Sequence, residues 1–191
     1  LDLSTQTIVL TSPVQNDTSN ILSKTFSWQS IYNAENYLFE LWQPTTSGTL
    51  VSTQIVSTST IQANLNDEGA YSWRVKASNA LGSTFFSTRN GFADTTRPQS
   101  PLLLNPSNNA ILTNRYVTFD WVRPSQSGSS ITDSLIIAID TNFLQLYKTY
   151  TIKSSTIGDS LISGAYFWQV YSRDKAGNKS KGSLIRKFSV Q

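Results

Sequence analysis

Residues 69–75 read GAYSWRV, and residues 164–170 repeat them as GAYFWQV, an offset of 95 positions. In the first copy Tyr71, Trp73 and Val75 occupy every second position. Because successive side chains of a strand point to opposite faces, this spacing places three large apolar residues on one face. Each stretch is therefore predicted to be a β-strand with one face in a hydrophobic core, entered from the turn that its glycine marks.

The repeat extends over most of the chain. Three further matches keep the same order, at offsets of 93, 93 and 96 positions: 12–13 with 105–106, 26–28 with 119–121, and Phe92 with Phe188. Matches that keep their order at nearly one period indicate a tandem duplication. Two prolines among short polar residues at positions 94–101 predict the connector between the copies. The chain is therefore expected to form two domains, residues 1–97 and residues 98–191.

Other segments show the same two-residue period. In the first half Tyr37, Phe39 and Leu41 alternate with Glu40 and Trp42, so the first three are predicted to face the core and the last two to face outward. No segment shows a sustained 3.6-residue period. The sequence therefore predicts an all-β protein of two antiparallel sandwiches. Each separate core is expected to centre on a Trp and a Tyr: Trp28 with Tyr71, and Trp121 with Tyr166.

The composition excludes several kinds of catalytic site. The chain contains no cysteine and no histidine, so it has neither disulfides nor thiolate ligands, and it lacks the commonest general base. The acidic pairs Asp67/Glu68 and Glu35/Glu40 are predicted to be solvated surface carboxylates. We therefore expect no enzyme activity, no catalytic residue, no cofactor and no dedicated metal site.

Residues 65–82, LNDEGAYSWRVKASNALG, resemble the E–F–G region of a fibronectin type III domain. The second copy matches the same pattern at Leu161, Gly164, Tyr166, Trp168, Val170, Asp174, Gly177 and Asn178. The resemblance implies two tandem immunoglobulin-like, fibronectin type III-like sandwiches of the kind found in bacterial secreted or cell-surface proteins. The Tyr that follows the Gly is then expected to be buried, with its hydroxyl bonded to a nearby backbone group.

This resemblance implies a structural, adhesive or spacer role in a larger exported protein. The expected location is extracellular, at the cell surface or periplasmic, and the expected partners are a protein or a glycan. The chain begins at Leu1 and contains no Met, so we expect it to be a piece of a longer or processed protein. No apolar run approaches the roughly 20 residues that span a membrane.

The alternative is a carbohydrate-binding module that uses exposed aromatic rings as stacking platforms. Trp42 is the first candidate, because the alternation places it on the face opposite the core. Tyr147 and Tyr150 lie in the corresponding region of the second half. Ordinary packing at the edge of a sandwich is the other interpretation of these three residues.

Charge is distributed unevenly between the two halves. To Arg97 the net charge is −2, and beyond it the net charge is +5. Six basic residues cluster near the end: Arg173, Lys175, Lys179, Lys181, Arg186 and Lys187. They indicate either an anionic partner or the protection of the last strand against edge pairing. No nucleic-acid partner is expected, because aromatic residues do not interleave the cluster.

The joint between the domains is the last candidate site. In consecutive sandwiches the E–F turn of the first is expected to approach the F–G loop of the second. Acidic Asp67 and Glu68 would then meet basic Arg173 or Lys175 in an interdomain ion pair. A calcium site at the same joint is the alternative, and its oxygen ligands would come from Asp67, Glu68, Asp94, Asp174 and Asn178.

Overall fold

A computed structural model of the chain describes residues 1–44, 48–125 and 129–191. It divides into two compact units, which we call unit 1 (Leu1–Thr95) and unit 2 (Thr96–Gln191). This division lies two residues before the domain boundary predicted between Arg97 and Pro98. The described residues form strands and turns, and none of them belongs to a helix that could cross a membrane.

Unit 1 is built from strands that form two facing sheets. Its described residues contain β1 (Leu10–Ser12), β2 (Asp17–Ser19), β3 (Ser23–Trp28), β4 (Asn36–Gln43), β5 (Thr49–Val56), β6 (Thr60–Asn64), β7 (Gly69–Asn79), β8 (Gly82–Ser83) and β9 (Ser87–Ala93). One sheet has the order β1-β3-β6, and the other has the order β2-β9-β7-β4-β5, with β8 paired to β7. The repeated stretch at residues 69–75 is the start of β7, at the centre of the larger sheet.

Unit 2 repeats this arrangement. Its described residues contain β10 (Leu102–Asn105), β11 (Ala110–Leu112), β12 (Tyr116–Val122), β13 (Ile131–Ala138), β14 (Leu146–Ile152), β15 (Thr156–Ser160), β16 (Gly164–Asp174) and β17 (Arg186–Val190). The sheet orders are β10-β12-β15 and β11-β17-β16-β13-β14. The prediction of an all-β fold of two sandwiches is confirmed.

One strand pair in each unit departs from the predicted antiparallel pairing. The short strand β2 runs parallel to β9, and β11 runs parallel to β17. In both units the chain leaves the smaller sheet after its first strand and crosses to the larger sheet without reversing direction. The crossing strand therefore runs the same way as the last strand of its unit.

Each unit encloses its own aromatic core. In unit 1 the ring of Phe26 lies 5.0 Å from that of Phe39 and 5.2 Å from that of Trp73, and all three side chains are fully buried. In unit 2 Phe119 packs edge-on against Trp168, at 5.2 Å between ring centroids. Edge-on and tilted aromatic pairs of this kind add to the stabilisation from burial. The outward orientation predicted for Glu40 and the inward one predicted for Phe39 and its alternating neighbours are both confirmed.

The tyrosine that follows the repeated glycine is buried in both units, but its hydroxyl has different partners. In unit 2 the Tyr166 hydroxyl donates to the carbonyl oxygen of Ile162 at 2.9 Å, the backbone contact that was predicted. In unit 1 the Tyr71 hydroxyl donates instead to a carboxylate oxygen of Asp17 at 3.0 Å. The prediction of a backbone partner is therefore wrong for Tyr71.

Two residues explain the difference: the one opposite the tyrosine on the last strand, and the one paired with it on the short crossing strand, which is Asp17 in unit 1 but Ala110, without an acceptor, in unit 2. Tyr71 lies opposite Gly91, and a β-carbon at Gly91 would come within 2.3 Å of the tyrosine hydroxyl and ring. The absence of a side chain there lets the hydroxyl reach Asp17. In unit 2 Phe188 occupies the corresponding place and stacks on Tyr166, with ring centroids 5.4 Å apart.

The sequence match of Phe92 with Phe188 is therefore wrong by one residue. Phe92 lies opposite Ala70 and is 40% exposed, whereas Phe188 is buried in the position that corresponds to Gly91. The sequence comparison aligned the two residues because both are phenylalanines. The strand register instead aligns the residues that lie opposite the tyrosine, which are Gly91 in unit 1 and Phe188 in unit 2.

Candidate functional site

Trp42, the first carbohydrate candidate, is held in a layered contact on the outer face of the larger sheet of unit 1. The guanidinium of Arg74 lies 5.4 Å from the Trp42 ring centroid and 4.2 Å from that of Phe86. Glu40 accepts hydrogen bonds from Arg74 Nε at 2.6 Å and from Trp42 Nε1 at 3.0 Å. Cation–π contacts and a charge-assisted hydrogen bond thus hold Trp42 within its own unit.

Tyr147 and Tyr150 both lie on β14, and both are partly buried against the core of unit 2. The ring of Tyr147 packs on Tyr166, with centroids 4.9 Å apart. The Tyr150 hydroxyl donates to the carboxylate of Asp159, which also accepts a hydrogen bond from Lys148 Nζ. The two tyrosines therefore lie on the same strand, but both are engaged in contacts within the unit.

The contact of Lys148, Tyr150 and Asp159 closes one side of the sandwich, and we call it the unit 2 side bridge. It joins β14 of the larger sheet to β15 of the smaller sheet. The hydrogen bonds from Lys148 and Tyr150 hold the pKa of Asp159 below its usual value, and the bond to Asp159 raises the pKa of Lys148. Partial burial, followed by the bond to Asp159, raises the pKa of Tyr150 to about 12.

Asp67 and Glu68 lie in the turn before β7, as predicted from the sequence. Glu68 accepts hydrogen bonds from the backbone N–H and the hydroxyl of Thr95, at 3.0 and 2.9 Å. The Asp67 carboxylate accepts a hydrogen bond from the Glu68 N–H at 2.8 Å. The backbone carbonyl oxygen of Asp67 accepts one from Gln43 Nε2 at 2.6 Å. Hydrogen bonds within unit 1 therefore hold this turn.

Arg173 and Lys175 are exposed near the turn that follows β16. The backbone of Arg173 bridges to Lys179, and the Lys175 N–H donates to the carbonyl oxygen of Ser130 at 2.8 Å. An ion pair from either residue to Asp67 or Glu68 stays a prediction.

Two residues named as calcium ligands, Asp174 and Asn178, bond to each other. The Asp174 carboxylate accepts both the backbone N–H and the side-chain Nδ2 of Asn178, each at 2.8 Å. Within the ranges that the structure describes, no three acidic side chains gather into a group that could hold a metal ion. These oxygens contribute to the turn after β16.

Two buried polar clusters were missed by the sequence reasoning. In unit 1 Lys24 is 7% exposed, and its Nζ contacts Asp17 at 2.9 Å and the Ser19 hydroxyl. Lys24 Nζ also lies 5.3 Å from the Tyr71 ring centroid. The Tyr71 hydroxyl and Lys24 Nζ both contact the carboxylate of Asp17. Burial, and then the nearby charge of Asp17, strongly raise the pKa of Tyr71.

The second cluster surrounds Asp133, which is fully buried in unit 2. Its carboxylate accepts Arg123 Nε at 2.7 Å, the Ser172 hydroxyl at 2.6 Å, and Trp121 Nε1. Arg123 also donates to the carbonyl oxygen of Lys153 at 2.6 Å. The cluster joins the two sheets, since Trp121 lies on β12 and Ser172 on β16.

An arginine on the last strand holds the first strand in both units. Arg186 donates from Nη1 to the carbonyl oxygens of Leu104 and Pro106 at 2.6 and 3.1 Å, and from Nη2 to that of Leu103 at 2.7 Å. In unit 1 the same three contacts run from Arg89 to Leu10, Thr11 and Pro13. Arg186, which the sequence placed in a basic surface cluster, thus has its guanidinium engaged within the unit.

No protein-family model matches the chain, and no curated protein sequence matches it. Among solved structures, the fibronectin(III)-like modules of CbhA from Clostridium thermocellum match at 14% identity with a TM-score of 0.64, over 97% of this chain and 94% of that one. The FN1–FN3 domains of chicken CNTN1 match at 14% identity with a TM-score of 0.55, over 93% of this chain and 65% of theirs.

A structure of titin domains matches at 15% identity with a TM-score of 0.57, over 96% of this chain and 66% of that one. This chain thus spans just under two thirds of the CNTN1 and titin structures, but nearly the whole of the CbhA structure. The fold is fibronectin type III-like in both units, as the residues of the repeat predicted.

Proposed function

We propose that the chain is a non-enzymatic structural or spacer segment of a larger exported protein. One observation carries the proposal: the aromatic side chains that looked available for a ligand, and the charged ones beside them, are engaged in contacts that hold their own unit together. Arg74 and Glu40 fix Trp42, and the side bridge fixes Tyr150. The repeated arginine contact with the first strand supports the same role, because it ties the terminal strands of each unit together.

The location that fits this role is extracellular, cell-surface or periplasmic, in a bacterial protein. The lack of cysteine supports that assignment, as does the match over nearly the full length of both chains with the Clostridium thermocellum modules. An adhesive contribution, through a protein or glycan partner at the cell surface, belongs to the same proposal. The fold alone does not select a partner, since sandwiches of this type carry many roles.

Stretching the whole chain between two anchored ends tests the spacer role. Two independent modules should give two unfolding events, each releasing about 300 Å of chain, because a residue extends to roughly 3.5 Å. Gradual lengthening at low force without discrete events would refute a spacer built from folded modules. A single event of about twice that length would refute a spacer of two modules.

Carbohydrate binding is the second candidate, and a matched pair of variants tests it. Trp42→Ala removes the aromatic platform, whereas Phe86→Ala opens the other side of Arg74 and keeps the tryptophan. Polysaccharide pull-down or a glycan array should show no binding by the unchanged chain if the spacer role is the full account. Binding that Trp42→Ala abolishes and Phe86→Ala retains would establish the carbohydrate function instead.

A further inference from the structure

Within the described residues, the outer edge of β5 in unit 1 pairs with no other strand, and the strand carries no charge. β5 is the last strand of its sheet, and no other strand in the described part of the chain pairs with its outer side. Between Glu40 and Asp67 the sequence contains no charged residue and only one proline. An uncharged edge rich in β-branched residues is a template for pairing with another strand, because its backbone N–H and C=O groups lack partners.

Unit 2 protects the corresponding edge. Gln54 lies opposite the core residue Phe39, as Tyr150 lies opposite Leu135, so these two edge residues occupy the same position. By the same register Ser52 takes the place of Lys148. In unit 2 these positions contribute the lysine and the tyrosine of the side bridge, but in unit 1 Gln54 Nε2 only donates to the Ser52 hydroxyl at 3.3 Å.

The other half of the bridge is absent from unit 1 as well. Asp159 lies opposite Val117 on β12, and the corresponding residue opposite Lys24 on β3 is Ala63. The corresponding edges of the two units thus differ: the side bridge covers the edge in unit 2, whereas the edge in unit 1 carries no charged residue. Lysines at edges are a common defence against pairing, and this defence is missing in unit 1.

We propose that the β5 edge of unit 1, residues 52–56, pairs antiparallel with the same edge of a second copy of this chain. A spacer does not require such a pair, so this edge would be an additional interaction surface of the chain. A second copy fits because a neutral strand meets a neutral strand, so pairing leaves no charge without water or a counter-ion. A partner strand with charged side chains would lose that advantage.

The irregularity of β5 determines the register of the pair. Leu41 lies opposite Ser52 and Trp42 opposite Leu50, so Val51 is an extra residue and regular alternation holds only from Ser52 to Val56. A two-fold axis through a regular antiparallel pair over this segment passes through Gln54. Thr53 then faces the partner's Ile55, and Gln54 faces the partner's Gln54.

The proposed pair also covers an exposed apolar side chain. Ile55 is 72% exposed on the outer face of the sheet. Opposite the partner's Thr53 it would gain a β-branched cross-strand neighbour, a type of pair that stabilises sheets. Because the paired segment is short, the dimer is expected to be weak and to depend on concentration.

Sedimentation equilibrium of the whole chain from about 10 μM to about 1 mM tests the proposal, a range in which a dissociation constant between micromolar and millimolar values is measurable. A reversible monomer–dimer equilibrium is expected. Thr53→Lys should weaken it at least tenfold by placing a charge in the pair. Thr149→Lys is the matched control, because Thr149 occupies the corresponding exposed edge position of unit 2 and should leave the equilibrium unchanged.

The absence of cysteine allows a direct test of the register. Opposite Cα atoms in an antiparallel pair lie about 4.5–5.5 Å apart, within the range of a disulfide. Gln54→Cys should therefore form a disulfide-linked dimer under mild oxidation at least tenfold faster than Thr149→Cys. A chain that is monomeric at 1 mM, a dimer that Thr53→Lys leaves intact, or equal cross-linking rates would each overturn the proposal.

Discussion

Replacing Asp133 with alanine is expected to destabilise unit 2 by about 3–5 kcal/mol. The substitution leaves the buried indole N–H of Trp121 and the Ser172 hydroxyl without their acceptor, and each such loss costs roughly 1–3 kcal/mol. Arg123 loses its counter-ion but keeps its bonds to backbone carbonyls, so its own contribution is smaller. The total agrees with the cost of about 3–5 kcal/mol for breaking a buried charge pair on one side.

Asp133→Asn separates charge from hydrogen bonding at the same site. The amide oxygen can still accept from Trp121 and Arg123, and the amide nitrogen can donate to the Ser172 hydroxyl. This variant should therefore cost only about 1–2 kcal/mol. Tyr37→Phe is the matched control in unit 1, because Tyr37 occupies the corresponding position and loses one bond, from the Ile31 N–H at 2.8 Å, worth about 1 kcal/mol.

Urea unfolding followed by tryptophan fluorescence measures these differences. With a slope of about 1–2 kcal/mol per molar for a unit of this size, Asp133→Ala should lower the midpoint of unit 2 by about 1.5–5 M. The midpoint of unit 1 should not move. A shift equivalent to less than about 1 kcal/mol, or an asparagine variant as unstable as the alanine variant, would refute the role assigned to the buried carboxylate.

Three other predictions concern the surface contacts. Because the pKa of Asp159 is lowered in the folded state, the side bridge stabilises unit 2 above about pH 4, and this stabilisation is lost as the pH falls through the folded pKa. The urea midpoint of Lys148→Met should therefore fall less between pH 5 and pH 2 than that of the unchanged chain. Parallel pH curves for the two proteins would contradict this prediction. Arg186→Met should lower the free energy of unfolding of unit 2 by about 2–3 kcal/mol in the same assay, because it removes the contacts with the first strand. Arg173→Met, at an exposed position, should change it by less than about 0.5 kcal/mol. Similar losses in the two variants would contradict the role assigned to Arg186. If Asp67 and Arg173 form an ion pair, 1 M salt should weaken it, because the Debye length is then about 3 Å. Small-angle scattering profiles should therefore differ between low salt and 1 M salt. Unchanged profiles would count against the ion pair.

The sequence predicted the parts of the fold that depend on alternation. Trp73 and Phe39 are recognisable as core residues because bulky apolar side chains recur at every second position. The same alternation contained a signal that was not used. Lys24 shares the inward parity of Phe26 and Trp28, which indicates a buried charge that needs a partner.

The candidate site was less accessible from the sequence. Alternation placed Trp42 on the outer face, but it could not show that Arg74 and Phe86 cover that face, because their contact depends on strand order. Arg186 looked like one of several surface cations for a similar reason. Its hydrogen-bond partners lie about 80 residues earlier in the chain, beyond the reach of any local pattern.

The difference between Gly91 and Phe188 makes the last strands of the two units non-interchangeable. Neighbouring copies of one fold can misassemble by exchanging equivalent strands, and tandem repeats are especially exposed to this failure. If β17 entered unit 1, the Phe188 ring would fall where Tyr71 lies, since even a β-carbon there would be 2.3 Å from its hydroxyl. If β9 entered unit 2, it would bring a glycine to a place that a buried phenylalanine fills and leave a cavity. Each unit is thus destabilised by the last strand of the other, which disfavours strand exchange between the two units during folding.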